Sequence, residues 1–136
     1  MNFSATGIDP SALQSAANHL GSLEGIDAAY LMGSAATHRL RAESDVDIAI
    51  LPKRSAVVSG NFRADLAAEL ESIFGRSVDV GILHTGNLVY AKEAVTRGIL
   101  LFERKPGAKA RFEMLTLSMY ADLQENRREI LHAYAA

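Results

Sequence analysis

The chain has no cysteine. That one absence excludes disulfides, zinc thiolate sites and thiol nucleophiles together, and it suits a reducing compartment. There is no excess of positive charge either. Fourteen Lys and Arg against 16 Asp and Glu leave a formal charge of −2, too weak a basic field to hold a long polynucleotide by its phosphates. No apolar run approaches the roughly 18 residues of a membrane span, and no early basic segment is followed by a long apolar one. The expectation is a soluble, cytoplasmic protein that works on something other than extended nucleic acid. Internal repeats, low-complexity tracts and linker-like stretches are also lacking. With 136 residues, 49% of them hydrophobic, the chain is expected to form one domain, residues 1–136, with a sizeable core.

What the chain does contain is concentrated in residues 30–51, YLMGSAATHRLRAESDVDIAIL. The apolar run from Ala28 to Met32 ends in Gly33 and Ser34, ten residues intervene, and Asp45-Val46-Asp47 then leads into Ile48-Ala49-Ile50-Leu51. This reads as strand, turn, loop and second strand. Side chains on a strand alternate between faces, so Asp45 and Asp47 share one face while Val46, Ile48 and Ile50 take the core face. Two carboxylates about 4 Å apart repel by roughly 4 kcal/mol at an effective dielectric near 20. Such a pair needs a cation between its members. Oxygen-only ligands suit a hard ion that keeps waters and phosphates in its other positions, which means Mg2+ or Mn2+.

The remaining chain supplies a frame for this stretch. Residues 1–8 read as unstructured, and Asp9-Pro10 starts a helix as N-cap and first helical residue. Its stripe is Leu13, Ala16, Ala17 and Leu20, and Gly21 or Gly25 ends it. Strands follow at about residues 27–32 and 46–51. A helix over residues 59–74 carries Phe62, Leu66, Leu70, Ile73 and Phe74 at helical spacing, with Gly75 as its C-cap. Residues 77–83, SVDVGIL, alternate cleanly as a third strand. There Asp79 is out of phase with Val78, Val80 and Ile82, and therefore joins Asp45 and Asp47 if the two strands are neighbours. Gly81, on the same face, leaves room for a ligand to approach the backbone. A helix over residues 87–96, a short edge strand over 99–102 and a long helix over 107–134 complete the reading. The last carries Phe112, Leu115, Met119, Leu123, Ile130 and Tyr134 along one side and spans roughly 40 Å, beyond the width of such a domain, so part of it is expected to contact another chain. Its polar interval, residues 124–129, is the alternative, a break.

Gly33 lets a ligand approach the backbone, and Ser34 adds a hydroxyl and an N–H, both suited to phosphate. A phosphate-binding turn beside two or three carboxylates is the equipment of phosphoryl or nucleotidyl transfer. Weaker signals have plainer explanations. A Ser-Asp-x-Asp segment by itself usually caps a loop or faces water. His38 reads as a solvated loop residue, His19, His84 and His132 lack ligand spacing, and Arg127 and Arg128 read as a wet helix face.

The Gly-Ser pair, ten intervening residues, Asp-x-Asp, and a third acid on a later strand together resemble the nucleotidyltransferase superfamily typified by DNA polymerase beta and kanamycin nucleotidyltransferase. The resemblance to its smallest members, the minimal nucleotidyltransferases (MNT), runs through YLMGSAA, SDVDIAIL, SVDVGIL, the Arg-Gly-Ile-Leu-Leu-Phe segment and the terminal helix. It implies an α/β (α+β) nucleotidyltransferase fold: a small mixed sheet, packed helices and a long C-terminal helix. By position it implies that Asp45, Asp47 and Asp79 bind Mg2+, two ions in all, and that Gly33 and Ser34 hold the triphosphate. Thr37 and His38 stand where many members have Arg-Gly, a departure from the pattern. Members of this length resemble antitoxins that transfer AMP from ATP to a tyrosine of a HEPN-domain ribonuclease toxin. Two rival readings are a transferase acting on a small molecule of aminoglycoside type, and a non-enzymatic antitoxin that only occludes its toxin.

Overall fold

The computed structural model describes residues 6–53 and 58–135. Residues 1–5, part of the segment expected to be unstructured, lie outside this range. Helix α1, Pro10–Gly21, starts as its sequence requires: the Asp9 carboxylate accepts a hydrogen bond from the Ser11 N–H at 2.9 Å and proline opens the helix. Strand β1, Ile26–Met32, runs into a four-residue helix α2, Gly33–Ala36, and strand β2 is Val46–Pro52. Helix α3, Gly60–Phe74, is capped by Ser59 at one end and by Gly75, left-handed at φ 69°, at the other. Then come β3, Val78–Ile82; α4, Leu88–Arg97; β4, Ile99–Glu103; and α5, Ala108–Ala135.

The strands form one mixed sheet in the order β3-β2-β1-β4. Strand β1 is antiparallel to both β2 and β4, while β2 and β3, joined through α3, are parallel. A parallel neighbour needs a crossover, and the helix that supplies it must cover one face. Helices α1 and α3 do so, packing Leu13, Leu20, Leu66 and Leu70 against Ile26, Leu31, Val46, Ile48, Ile50, Val78 and Val80. His19 of α1 also pairs with Glu69 of α3. The opposite face is only partly covered. There a second cluster of Tyr30, Met32, Ala49, Leu83, Ala91, Ala94 and Phe112 seats α4 and the start of α5. Tyr30 donates from its hydroxyl to Glu113 Oε1 at 3.4 Å, and burial together with the Glu113 charge drives its phenol well above the usual tyrosine range.

Helix α5 has the length expected of it, without the alternative break. It runs unbroken through residues 124–129, which contain neither proline nor glycine and carry a Glu125–Arg128 ion pair at 3.1 Å. Its apolar stripe is not core: only Ala108, Phe112 and Thr116 are buried, while Leu115 is 52%, Ile130 56% and Tyr134 87% exposed. The physical reason is length. Twenty-eight residues at 1.5 Å each span about 42 Å, and the sheet ends under the first turns. No helix among the described residues is long and apolar enough to cross a membrane.

Candidate active site

The site lies at the end of the sheet where β1 finishes and β2 and β3 begin. Asp47 and Asp79 are direct register partners on these parallel strands, so their Cα atoms are about 4.8 Å apart and their side chains share a face. Asp45 is exposed, one residue ahead of β2. Asp47 is half-buried, and its carboxyl is pushed above the usual aspartate range by burial first, then by the charges of Asp79 and Asp45. All three sequence-predicted acids are therefore brought to one end of one face, that of the second cluster. Among the described residues they do not close into a ready-made cage of three His, Asp or Glu side chains. They crowd negative charge at an open rim.

The Gly33–Ser34 bend meets that rim directly. Across the antiparallel pair Met32 is the register partner of Asp47, so the next residue, Gly33, turns over the Asp47 side chain. Glycine is required there on two grounds: φ is +63°, and a Cβ would overlap Asp47 Oδ2 and lie 3.2 Å from Cγ. Gly33 is exposed and Ser34 half-exposed, so the bend is open to a ligand. The short helix after it is tied down by Thr37, whose N–H and hydroxyl both donate to Gly33 O at 3.2 Å, and by the Arg39 N–H, which donates to Ser34 O at 2.8 Å. Beside the bend, Gly33, Thr37, Glu93 and Arg97 line a small cleft of about 180 Å3 between α2 and α4.

Three further residues at the site gave no motif in the sequence. Arg76, just past the Gly75 cap, donates from Nη1 to the Arg41 and Ser44 carbonyls at 3.0 and 3.2 Å, clamping the loop that delivers Asp45. Arg63 of α3 reaches around the edge strand to Asp79, Nη2 to Oδ1 3.8 Å, an exposed pair of little energetic weight. Tyr90 of α4 lays its ring on Gly81, where a Cβ would overlap Oη and sit 2.8 Å from Cζ. The room expected at Gly81 for a ligand is thus filled by the protein's own phenol. Burial, then the charges of Asp79 and Asp47, raise the Tyr90 pKa, and Arg63 partly offsets them. The signal for this pairing was present as a glycine inside an otherwise strong strand, which marks a close approach without saying by what.

Residues 14–107 match the profile of the family described as polymerase beta, nucleotidyltransferase. The chain belongs to that family. The nucleotidyltransferase is also similar to several solved structures. One is a chain of a toxin–antitoxin complex with AMP-PNP, at 26% identity and TM-score 0.73, the alignment covering 95% of this chain and 100% of that one. Another belongs to the toxin–antitoxin complex MntA–HepT, at 26% identity and TM-score 0.70, covering 94% and 100%. A third belongs to the tri-AMPylated Shewanella oneidensis HEPN toxin in complex with its MNT antitoxin, at 26% identity and TM-score 0.65, covering 91% and 99%. No curated protein sequence matches the chain.

Proposed function

We propose that this nucleotidyltransferase transfers AMP from ATP to a tyrosine hydroxyl of a HEPN ribonuclease toxin and acts as that toxin's antitoxin. The observation that carries this reading is the near end-to-end likeness to a chain from the complex that holds a tri-AMPylated HEPN toxin. The AMP-PNP present in a second similar complex agrees with ATP as donor.

The residues at the rim fit a divalent cation: all donors are carboxylate oxygens, and the Asp47 carboxyl already feels the charge of Asp79 and Asp45, a crowding that a bound cation relieves. In this proposal Asp45, Asp47 and Asp79 hold Mg2+, as two ions, with Mn2+ able to serve in its place. When bound, the ions neutralise the triphosphate and polarise the α-phosphate. Gly33 and Ser34 grip the triphosphate, the glycine by admitting it to the backbone and the serine by its hydroxyl and N–H. Asp45 and Asp47 orient the α-phosphate toward the acceptor, and Asp79 takes the proton of the incoming hydroxyl. Pyrophosphate leaves on the side of the bend. The exposed apolar residues Ile130, Leu131 and Tyr134 on the outer half of α5 supply the surface on which the toxin docks.

The test is to incubate the protein with labelled ATP, Mg2+ and the HEPN toxin, and to repeat with Asp45→Asn and Asp47→Asn. Label on the toxin that is absent with either variant supports the enzyme. Neutralisation of the toxin that persists undiminished in both variants would mean occlusion by binding alone.

A further inference from the structure

Of the four tyrosines, Tyr30 is committed to Glu113, Tyr120 lies with its ring 4.7 Å from the Lys92 ammonium, and Tyr134 stands exposed at the far end of α5. Tyr90 differs from all of these. It sits in the first turn of α4, where its N–H donates to the Asn87 cap at 3.4 Å, and its phenol reaches back onto β3 at Gly81. Gly81 follows Asp79 by two residues, on the same face of the strand. The Tyr90 hydroxyl consequently lies one pleat, about 7 Å, along the strand from the Asp79 backbone, on the face that carries Asp47 and Asp79. It makes no hydrogen bond among the described residues, and its ring is only half-buried. A free phenol is the same acceptor group as the toxin tyrosine, already standing on the face that carries Asp47 and Asp79.

We propose that Tyr90 is an internal acceptor: without toxin, the protein adenylylates its own Tyr90 hydroxyl. This rests on the reading of the site as one that transfers AMP. The Tyr90 oxygen attacks the α-phosphorus of ATP, an Oη–P bond forms, and the bond from that phosphorus to the bridging oxygen breaks. Pyrophosphate leaves with that oxygen, and the phenolic proton passes to the Asp79 carboxylate. The product is a Tyr90–AMP phosphodiester, with no oxidant or further reactant needed. Because donor site and acceptor belong to one chain, the reaction is first order in protein.

The experiment incubates the full-length protein with Mg2+ and ATP, with and without HEPN toxin, and follows intact mass and peptide mapping. The expected result without toxin is one adenylyl group per chain, mapped to Tyr90. The fraction modified at a given time is independent of protein concentration, and Tyr90→Phe, which keeps the ring on Gly81, removes the label. Mapping on the unmodified sequence holds even if the variant folds poorly. Label on another residue, or a rate that rises with concentration, overturns the proposal. Labelled toxin with an unlabelled nucleotidyltransferase overturns it as well while leaving the AMP-transfer reading intact. Absence of label on both proteins overturns the two together.

Discussion

Replacing Asp47 with asparagine tests whether the rim is electrostatically crowded, because it removes one charge and keeps the shape. Burial and the charges of Asp79 and Asp45 raise the Asp47 pKa in the folded protein. The sign of the linkage follows from that direction. A carboxyl whose folded pKa lies above its unfolded value contributes stability that is fully present below the unfolded pKa and is lost as pH rises through the folded one. At neutral pH the ionised Asp47 therefore destabilises the nucleotide-free protein. Two carboxylates on register partners, roughly 5 Å apart, repel by about 3 kcal/mol at an effective dielectric near 20. The Asp79 side chain is 70% exposed, and solvent screening brings the expected figure down to about 1 kcal/mol. Asp47→Asn should thus raise Tm by about 4 °C at neutral pH, measured by calorimetry without metal or nucleotide, while transfer to toxin is lost. At about pH 3, where the wild-type carboxyl is itself neutral, the difference should disappear. A variant less stable than wild type at neutral pH, or a gain that survives in acid, would refute the crowding.

Mg2+ with ATP should raise the Tm of the wild-type protein and leave Asp47→Asn nearly unmoved, since a ligand that binds only the folded state stabilises it in proportion to its affinity; equal shifts in both would place the nucleotide elsewhere. Gly33→Ala should cost about 1–2 kcal/mol of stability from the left-handed backbone and, by displacing the Asp47 carboxylate, lower transfer about 100-fold, as thermal denaturation and label incorporation would report. Charging the outer half of α5 with Ile130→Asp and Leu131→Asp should leave stability within about 0.5 kcal/mol and weaken toxin binding by about 10-fold or more, measured by calorimetric titration.

Much of the fold was legible because local chemistry and tertiary packing agree. Asp9-Pro10 and Gly75 each bound a helix at the residue expected from capping rules. Strict alternation in residues 46–51 and 78–82 placed Asp47 and Asp79 on one face before any register was known, and the parallel pairing then made them direct neighbours. Where the sequence was silent or, at Gly81, misled, the cause is non-local. The stripe on α5 has helical period whether it is buried by this chain or left for another, so periodicity could not say that burial stops near Thr116. Gly81 announced a close approach, but the approaching group, Tyr90, comes from another element. Arg76 looked like any polar residue after a helix cap, since its partners are the carbonyls of a loop 32 and 35 residues away.

The crowding of acids at the rim persists because the opposite face of the same strands forbids relief. Val46, Ile48, Val78 and Val80 are buried under α1 and α3, and with β2 held by β1 a slip of β3 by one residue would turn Val78 and Val80 out of the core. Relaxing about 1 kcal/mol of carboxylate repulsion that way would expose two apolar side chains, each worth about 1.5 kcal/mol or more when buried. The register is therefore fixed by the core, and the acids must tolerate it. On their own face, α4 and the first turns of α5 cover Tyr30, Ala49 and Leu83 but stop short of Asp47. The resulting rim is fixed in register, open to solvent and crowded with negative charge, a crowding that the proposed cations would relieve.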